Sequence, residues 1–245
     1  MFMFGDKSSD DFGLLCTQYT LQNASGMSYD YANILGKKEP EMTFSEAFQP
    51  VPIVVEGDII ADDALDRVER LKGWLYNAGS GVLVDERQPN RYRIARVADP
   101  VEVVMLCNSM ATVRIRFICS AFLYNVENDE ISITESGQAV VNAGTVESEP
   151  VYKLHLLPYD AGTAGKVNLF CGANYMEIDL TDAEHYNHVL VLDAVRQAVY
   201  YEDTKEDVTG ITFGIVPPLP VGESVIYWDV PLIDHVALTK NERFI

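Results

Sequence analysis

The stretch that decides the fold is residues 60–97, which read IADDALDRVERLKGWLYNAGSGVLVDERQPNRYRIARV. In its first half, apolar residues recur at steps of three and four, the spacing of one apolar stripe on a helix. The stripe consists of Leu65, Val68, Leu71, Trp74 and Leu75. This spacing predicts one main helix over about residues 62–78 and no other helix of comparable clarity in the chain.

Both ends of this helix carry signals of their own. Asp62 or Asp63 is expected to cap the N-terminus, where free backbone N–H groups and the helix dipole favour a carboxylate. Gly79 suits the left-handed position just after the C-terminus. The helix is then followed by a strand at 82–85, a turn around Pro89 and a second strand at 92–97.

Length and composition indicate a folded protein with more than one domain. The chain has 245 residues, of which 48% are hydrophobic, enough for two domains of ordinary size. No apolar run approaches the roughly 20 residues that span a bilayer. The first residues contain neither a basic segment nor a sustained apolar segment. We therefore expect neither a secretory signal nor membrane insertion.

The charge is strongly negative and unevenly distributed. The net charge is −19; residues 1–124 hold 17 acidic and 12 basic residues, whereas residues 125–245 hold 20 acidic and 6 basic ones. A chain this acidic is a poor candidate for binding a phosphate backbone, so sequence-specific nucleic-acid recognition is not expected. The asymmetry suggests two units with different surroundings.

The four cysteines are far apart and form no metal-binding spacing. Cys107, Cys119 and Cys171 lie in apolar, strand-like runs. We therefore expect buried free thiols.

The rest of the first half is predicted to be strands and loops. Strand-like runs occupy residues 12–16, 42–44, 51–55, 101–107 and 111–122. A turn is expected at residues 56–58. Residues 29–40, which contain Gly36 and Pro40, indicate a long loop or an excursion from the domain.

Several arginines are expected to gather in neighbouring strands. In the last strand, Val113, Ile115 and Phe117 alternate with Arg114 and Arg116, which places the arginines on the opposite face. The full set is Arg91, Arg93, Arg96, Arg114 and Arg116. This pattern has two interpretations: a solvated sheet face with local acidic partners, or a surface that pairs with an acidic patch on another subunit.

The second half is predicted to be a β-sandwich. Residues 127–149 are polar and mark the domain boundary, which gives domains of residues 1–126 and 127–245. Beyond Pro150, eight strand-like runs follow one another about ten residues apart, with Gly, Asn, Asp and Pro between them. They are residues 151–157, 167–171, 175–180, 189–195, 199–202, 211–215, 225–230 and 235–239. The Pro-rich stretch 217–222 must be a connection.

The sequence carries little catalytic chemistry. It has no GxSxG, HExxH, P-loop or GxGxxG motif, and no pair of carboxylates is singled out by spacing. His185 and His188 are a weak metal-ligand pair in what is expected to be a polar surface loop. His155 and His235 are expected to be isolated packing residues. Trp228 together with Tyr227 and Tyr175 could stack on a sugar ring, but strand alternation places Trp228 on the face of Ile226 and Val230, which predicts a core position.

The order and spacing of several segments resemble the distal tail (Dit) proteins of long-tailed, non-contractile phages. The resemblance covers nearly the whole chain. The segments are LKGWL (71–75), GVLVD (81–85), QPNRYRIA (88–95), FICSAFLY (117–124), NAGT (142–145), SEP (148–150), LD (192–193), VYY (199–201), PLPVG (218–222) and NERF (241–244).

The resemblance implies a mostly β protein: an α+β N-terminal domain with one main helix, and a galectin-like C-terminal β-sandwich. It further implies a structural, non-enzymatic virion protein, without cofactor or metal, at the distal end of the tail. Such a protein forms a homohexameric ring, single or stacked, around the DNA channel. Its partners are the tail tube protein, the tape measure protein and baseplate or receptor-binding proteins.

For the contacts between subunits, we nominate exposed residues of the excursion and of the arginine-bearing strands. They are Tyr29, Tyr31, Lys37, Lys38, Arg91, Arg93, Arg96, Arg114 and Arg116. The alternative function is a carbohydrate-binding module acting through the C-terminal sandwich. A galectin-type site needs His, Asn, Arg and Trp clustered on one sheet face, and Arg196 is the single arginine between residues 125 and 240.

Overall fold

The computed structural model of the chain describes residues 1–20 and 25–245. The chain folds into two compact units, residues 1–126 with Ile245 and residues 127–244. Both units consist mostly of antiparallel β-sheet, and the described residues contain a single α-helix. The predicted fold class is therefore confirmed. No helix in the described part of the chain is long and apolar enough to cross a membrane.

The first unit is a sheet with a helix packed on one face. Its elements are β1 (Phe2–Phe4), β2 (Lys7–Ser8), a 3-10 helix (Ser9–Phe12), β3 (Leu14–Tyr19), β4 (Met27–Ala32), β5 (Glu41–Phe48), β6 (Val51–Ile60), α1 (Ala64–Asn77), β7 (Ser80–Asp85), β8 (Arg91–Val97), β9 (Glu102–Cys107), β10 (Met110–Cys119) and β11 (Leu123–Asn125). The main sheet has the strand order β2-β1-β7-β8-β10-β6-β3. In addition, β9 pairs with β10, β11 pairs with β8, and β4 and β5 form a separate hairpin.

Trp74 fixes the helix onto the sheet. Its ring stacks on Phe12, with centroids 4.8 Å apart and planes at 9°, and lies 5.9 Å from the ring of Phe2. Its indole N–H donates a hydrogen bond to the backbone carbonyl of Phe4 at 3.2 Å. The side chain therefore satisfies its one polar group while burying its apolar surface, as a core tryptophan requires.

The main helix is confirmed, but two details of the prediction are wrong. Leu65 is 55% exposed and Ala64 is fully buried in its place, because Ala64 lies at the correct angle to Val68 and Leu71. Asp63 occupies the N-cap position without accepting a backbone hydrogen bond. Its carboxylate instead accepts a hydrogen bond from the guanidinium Nε–H of Arg67 at 2.7 Å, which lowers the pKa of Asp63. Gly79 has a φ of 61°, as the left-handed position requires.

The turn predicted at residues 56–58 is wrong, because β6 runs straight through it. Gly57 lies opposite a bulge in β3, where the register shifts between Cys16 and Gln18. A Cβ on Gly57 would lie 2.5 Å from the carbonyl oxygen of Leu15 and 3.0 Å from the Cα of Cys16. The glycine thus permits close approach of a neighbouring strand.

The region predicted as a long loop or an excursion, residues 29–40, is partly regular. Its first residues belong to β4, which pairs with β5 in antiparallel fashion, and residues 33–40 connect the two strands. Every side chain from residue 29 to residue 43 is exposed. The predicted excursion is therefore a β-hairpin formed by β4 and β5.

The second unit is a sandwich of two five-stranded antiparallel sheets. The strands of the two sheets are β12 (Glu130–Ile133), β13 (Gln138–Asn142), β14 (Val151–Leu156), β15 (Gly165–Cys171), β16 (Asn174–Leu180), β17 (Leu190–Asp193), β18 (Ala198–Tyr201), β19 (Thr212–Gly214), β20 (Gly222–Trp228) and β21 (Ile233–Thr239). A further short strand, β22 (Arg243–Phe244), lies outside these two sheets. One sheet has the order β12-β21-β14-β17-β18 and the other β13-β20-β15-β16-β19. Leu154 and Leu192 from the first sheet share a buried core with Leu169 and Ile178 from the second.

All eight predicted strands of this unit are present. The connection predicted at residues 217–222 is present but ends at residue 221, because β20 begins at Gly222. The polar segment 127–149, however, contains two further strands, β12 and β13, one in each sheet. Their alternation is short: Ile133 and Val140 are buried, whereas their neighbours in sequence are exposed. Each strand contributes only one buried apolar side chain, which is too short an alternation to be recognised within a polar segment.

We predict that Gly57→Ala destabilises the protein by about 1–3 kcal/mol, the usual cost of overpacking. The added methyl group must push β3 away from β6. Urea unfolding followed by circular dichroism measures the change. The matched control is Gly73→Ala, on the exposed side of α1 with no atom within 4 Å of the new Cβ, which should stabilise by about 0.5–1 kcal/mol. Equal stabilities of the two variants would contradict the role given to Gly57.

Candidate subunit-interface surfaces

The arginines of β10 lie on the sheet face opposite the core. Val113, Ile115 and Phe117 are fully buried while Arg114 and Arg116 are exposed, which confirms the predicted alternation. Arg96 pairs across β8 and β10 with Ile118 and therefore shares this outer face. We call the set of Arg96, Arg114 and Arg116 the arginine face.

Acidic side chains of the same unit already contact two members of the arginine face. Arg114 lies 3.0 Å from Glu56 and 3.7 Å from Glu102. Arg116 lies 3.2 Å from Asp99. Arg96 is exposed and has no ion pair within the described residues. Because exposed ion pairs contribute about 0–1 kcal/mol each, another subunit can displace these partners at little cost.

Arg93 lies apart from this set. It is on the core side of β8 with Ala95 and is only 6% exposed. Its guanidinium donates hydrogen bonds to the carbonyls of Ser120 at 2.7 Å and Ala121 at 2.8 Å. Burial lowers the pKa of Arg93. The residue ties the segment after β10 to β8 and leaves little surface for a partner. Arg91, at the start of β8, is partly exposed.

The hairpin carries the other nominated residues. Tyr29 is 55% exposed and Tyr31 is 66% exposed. Lys37 forms an exposed ion pair with Glu41 at 3.4 Å, and Lys38 is exposed beside it. An isolated two-stranded hairpin is marginally stable in water. Its aromatic side chains therefore lie where contact with another molecule would stabilise it.

A further surface, which the sequence did not indicate, is formed by β9. This strand pairs with the first half of β10, on the edge opposite β6, and no other described strand covers its second edge. Val104, Met105 and Leu106 are 57%, 40% and 59% exposed. We call this the β9 edge. An unpaired apolar edge offers both backbone hydrogen bonds and apolar surface to another strand.

The β9 edge also corrects the expectation for the cysteines. All four are free thiols, and Cys119 and Cys171 are buried as expected, but Cys107 is exposed. A hydrogen bond with Ser109 lowers the pKa of Cys107. Burial, in contrast, raises the pKa of Cys119 to about 12.

In the dissociated chain, we expect a thiol reagent at pH 8 to label Cys107 rapidly and to leave Cys119 and Cys171 unlabelled until denaturant is added. A thiol with a pKa near 12 is about one ten-thousandth thiolate at that pH, and only the thiolate reacts. Mass spectrometry of the labelled peptides provides the measurement. A Cys107→Ser variant should lose its fastest labelling; rapid native labelling of Cys119 would contradict the burial described here.

His185 and His188 lie in and directly after a short 3-10 helix, Ala183–Asn187, rather than in a polar surface loop, and His185 is buried. Nδ1 of His185 contacts the hydroxyl of Tyr201 at 2.7 Å, whereas Nδ1 of His188 contacts Asp203 at 2.9 Å and its ring stacks on Tyr201. Within residues 1–20 and 25–245 there is no cluster of three or more His, Cys, Asp or Glu side chains able to hold a metal ion. The expectation for His155 and His235 is wrong in one respect: they are not isolated but stack on each other with centroids 4.0 Å apart.

The outer face of the β15-β16-β20 sheet carries an aromatic patch. Phe170 packs against Tyr175 at 5.5 Å and against Tyr227 at 5.4 Å, and the two tyrosines are 51% and 44% exposed. Trp228 points inward and is 7% exposed, as strand alternation predicts. The sequence points to Tyr175 and Tyr227 as possible sugar-stacking residues, but it does not indicate Phe170, which joins them only through strand pairing.

Comparison with known proteins identifies a solved structure with a similar architecture. No protein-family model and no curated protein matches the sequence. The structure is similar to the crystal structure of the Dit protein of phage SPP1, which is described as a paradigm of the hub of the adsorption apparatus in phages that infect Gram-positive bacteria. The TM-score is 0.72 and the identity 12%, over 97% of this chain and 96% of the other. Over nearly its whole length, the chain therefore has the fold of a phage distal tail hub protein.

Proposed function

We propose that this chain is a structural, non-enzymatic virion protein: a distal tail hub that forms a hexameric ring at the tip of a phage tail. The observation that carries the proposal is the likeness to the SPP1 hub protein, which extends over both units rather than one common domain. A β-sandwich alone occurs in many unrelated proteins. A helix-covered sheet, a hairpin and a sandwich that follow one another in this order identify a fold far more specifically than a sandwich alone does.

The surfaces of the first unit support self-assembly. The β9 edge, the hairpin and the arginine face belong to residues 1–126, which are also the less acidic part of the chain. A ring built by head-to-tail contacts needs two different, complementary surfaces on each copy. An open strand edge together with an exposed hairpin meets this requirement. In this proposal, residues 1–126 build the ring and surround the DNA channel.

The second unit would then face outward. It is the acidic part of the chain, and its sandwich needs no partner to complete its core. The proposed partners are the tail tube and tape measure proteins on the side of the tail, and baseplate or receptor-binding proteins on the side of the host. The proposed location is the distal end of the virion tail.

The mass of the purified chain in solution tests this proposal. We expect native mass spectrometry to find six copies of the 27.3 kDa chain, or a multiple of six. A Leu106→Lys variant should shift the mass to that of single chains, because a charge in the β9 edge would be desolvated in the ring. Assembly should also slow the labelling of Cys107.

The matched control is Val141→Lys, which places the same charge on an exposed strand residue of the second unit and should leave the mass unchanged. The proposal is contradicted if the wild-type chain is a monomer at tens of micromolar. The role of the β9 edge is contradicted if Leu106→Lys assembles like the control.

The aromatic patch supports a second candidate function, carbohydrate binding by the sandwich. Exposed tyrosine rings offer flat apolar surface to the C–H face of a sugar ring. Asn168 and Asp229, which share this face and bond to each other at 2.7 Å, offer polar groups beside it. This function is compatible with a role as a hub, since a sandwich that faces outward could carry an adhesion site.

If the patch binds sugar, a glycan array should show binding by the full chain that Tyr175→Ala and Tyr227→Ala both abolish. Tyr159→Ala, at another exposed tyrosine of the sandwich, is the control and should bind like the wild type. Absence of binding by the wild-type chain would dismiss this candidate.

A further inference from the structure

Two imidazoles face each other on the outer side of the β12-β21-β14-β17-β18 sheet. His155 in β14 and His235 in β21 are direct partners in the antiparallel register. Their ring centroids are 4.0 Å apart and their planes differ by 10°. Both rings are partly exposed, so an ion in solvent can reach them. Residues directly opposite in adjacent strands are held about 5 Å apart at Cβ, which is a fixed scaffold for a chelate.

Asp234 orients one of the two rings. It is the additional residue of a bulge, because the register passes from the His155–His235 pair to the Leu156–Ile233 pair. Its carboxylate lies 2.9 Å from Nδ1 of His235 and accepts a hydrogen bond from it. The neutral ring then carries its lone pair on Nε2. This carboxylate–histidine arrangement is the usual support of a metal-binding imidazole.

The ring of His155 has no such partner. Its nitrogens make no hydrogen bond within the described residues. On the same side of β14, the ammonium group of Lys153 is held by Glu130 and Glu202, each at 2.9 Å. Two carboxylates therefore offset the one nearby cation, and the surroundings do not oppose a second positive ion.

We propose that His155 and His235 form a two-imidazole site for a divalent transition metal ion of the Zn²⁺, Ni²⁺ and Cu²⁺ class. Imidazole nitrogen is a preferred ligand of these ions and binds Zn²⁺ at about 2.0–2.1 Å. The ring of His155 must rotate from the stacked arrangement so that its in-plane lone pair points to the ion that Nε2 of His235 binds, while Asp234 keeps the ring of His235 in place. Water completes the coordination, so affinity is below that of a closed four-ligand site.

Isothermal titration of the full chain with NiCl₂, repeated with CuCl₂, tests the site. We expect one ion per chain, with Cu²⁺ bound more tightly than Ni²⁺, as the Irving–Williams order requires. His155→Gln and His235→Gln should each weaken binding at least tenfold, because either change removes half of the chelate. Asp234→Asn should weaken it about tenfold through loss of orientation.

The control is His188→Gln, which removes another partly exposed histidine that already contacts a carboxylate, and it should bind like the wild type. A second readout does not depend on affinity: substoichiometric Cu²⁺ should broaden the imidazole proton NMR signals of His155 and His235 together and leave that of His188 sharp. Absence of binding by the wild type, or binding that survives both glutamine variants, would overturn the proposal.

Discussion

The contact between Trp74 and the first residues of the chain is the constraint on which the first unit depends. The indole stacks on Phe12 and donates to the carbonyl of Phe4, so one side chain joins the helix, the 3-10 helix and β1. With α1 on one face of the sheet, the opposite face is open to solvent and carries the arginine face. The position of the arginine face is thus a consequence of where the helix packs.

The elements that bury one face of a helix or strand could be predicted from the spacing of their apolar residues. The helix, the alternation in β10 and eight strands of the sandwich could be read from the sequence because burial on one face imposes a repeat of 3.6 or 2 residues. Gly57 was misread, because its neighbour is a strand about 40 residues earlier in the chain. Arg93 was grouped with exposed arginines although its alternation with Arg96 places the two on opposite faces of β8.

The candidate surfaces were only partly predictable for the same reason. Composition indicates the excursion at residues 29–40, and alternation indicates the exposed arginines of β10, but the pairing that makes the excursion a hairpin is known only from the structure. The β9 edge could not be predicted, because an apolar run has the same sequence pattern at the edge of a sheet as in its centre. The order of the strands in the sheet is known only from the structure. His155 and His235 lie 80 residues apart in sequence, so only the antiparallel pairing of β14 with β21 brings their rings together.

The central proposal is that the first unit of this hub-like fold assembles into a closed ring through its open strand edge. Electron cryomicroscopy of the purified, assembled protein tests that claim most directly. We expect a six-fold ring in which residues 1–126 surround the central channel and β9 lies at the boundary between neighbouring copies. A particle of another symmetry, or a ring whose inner wall is formed by residues 127–244, would contradict it.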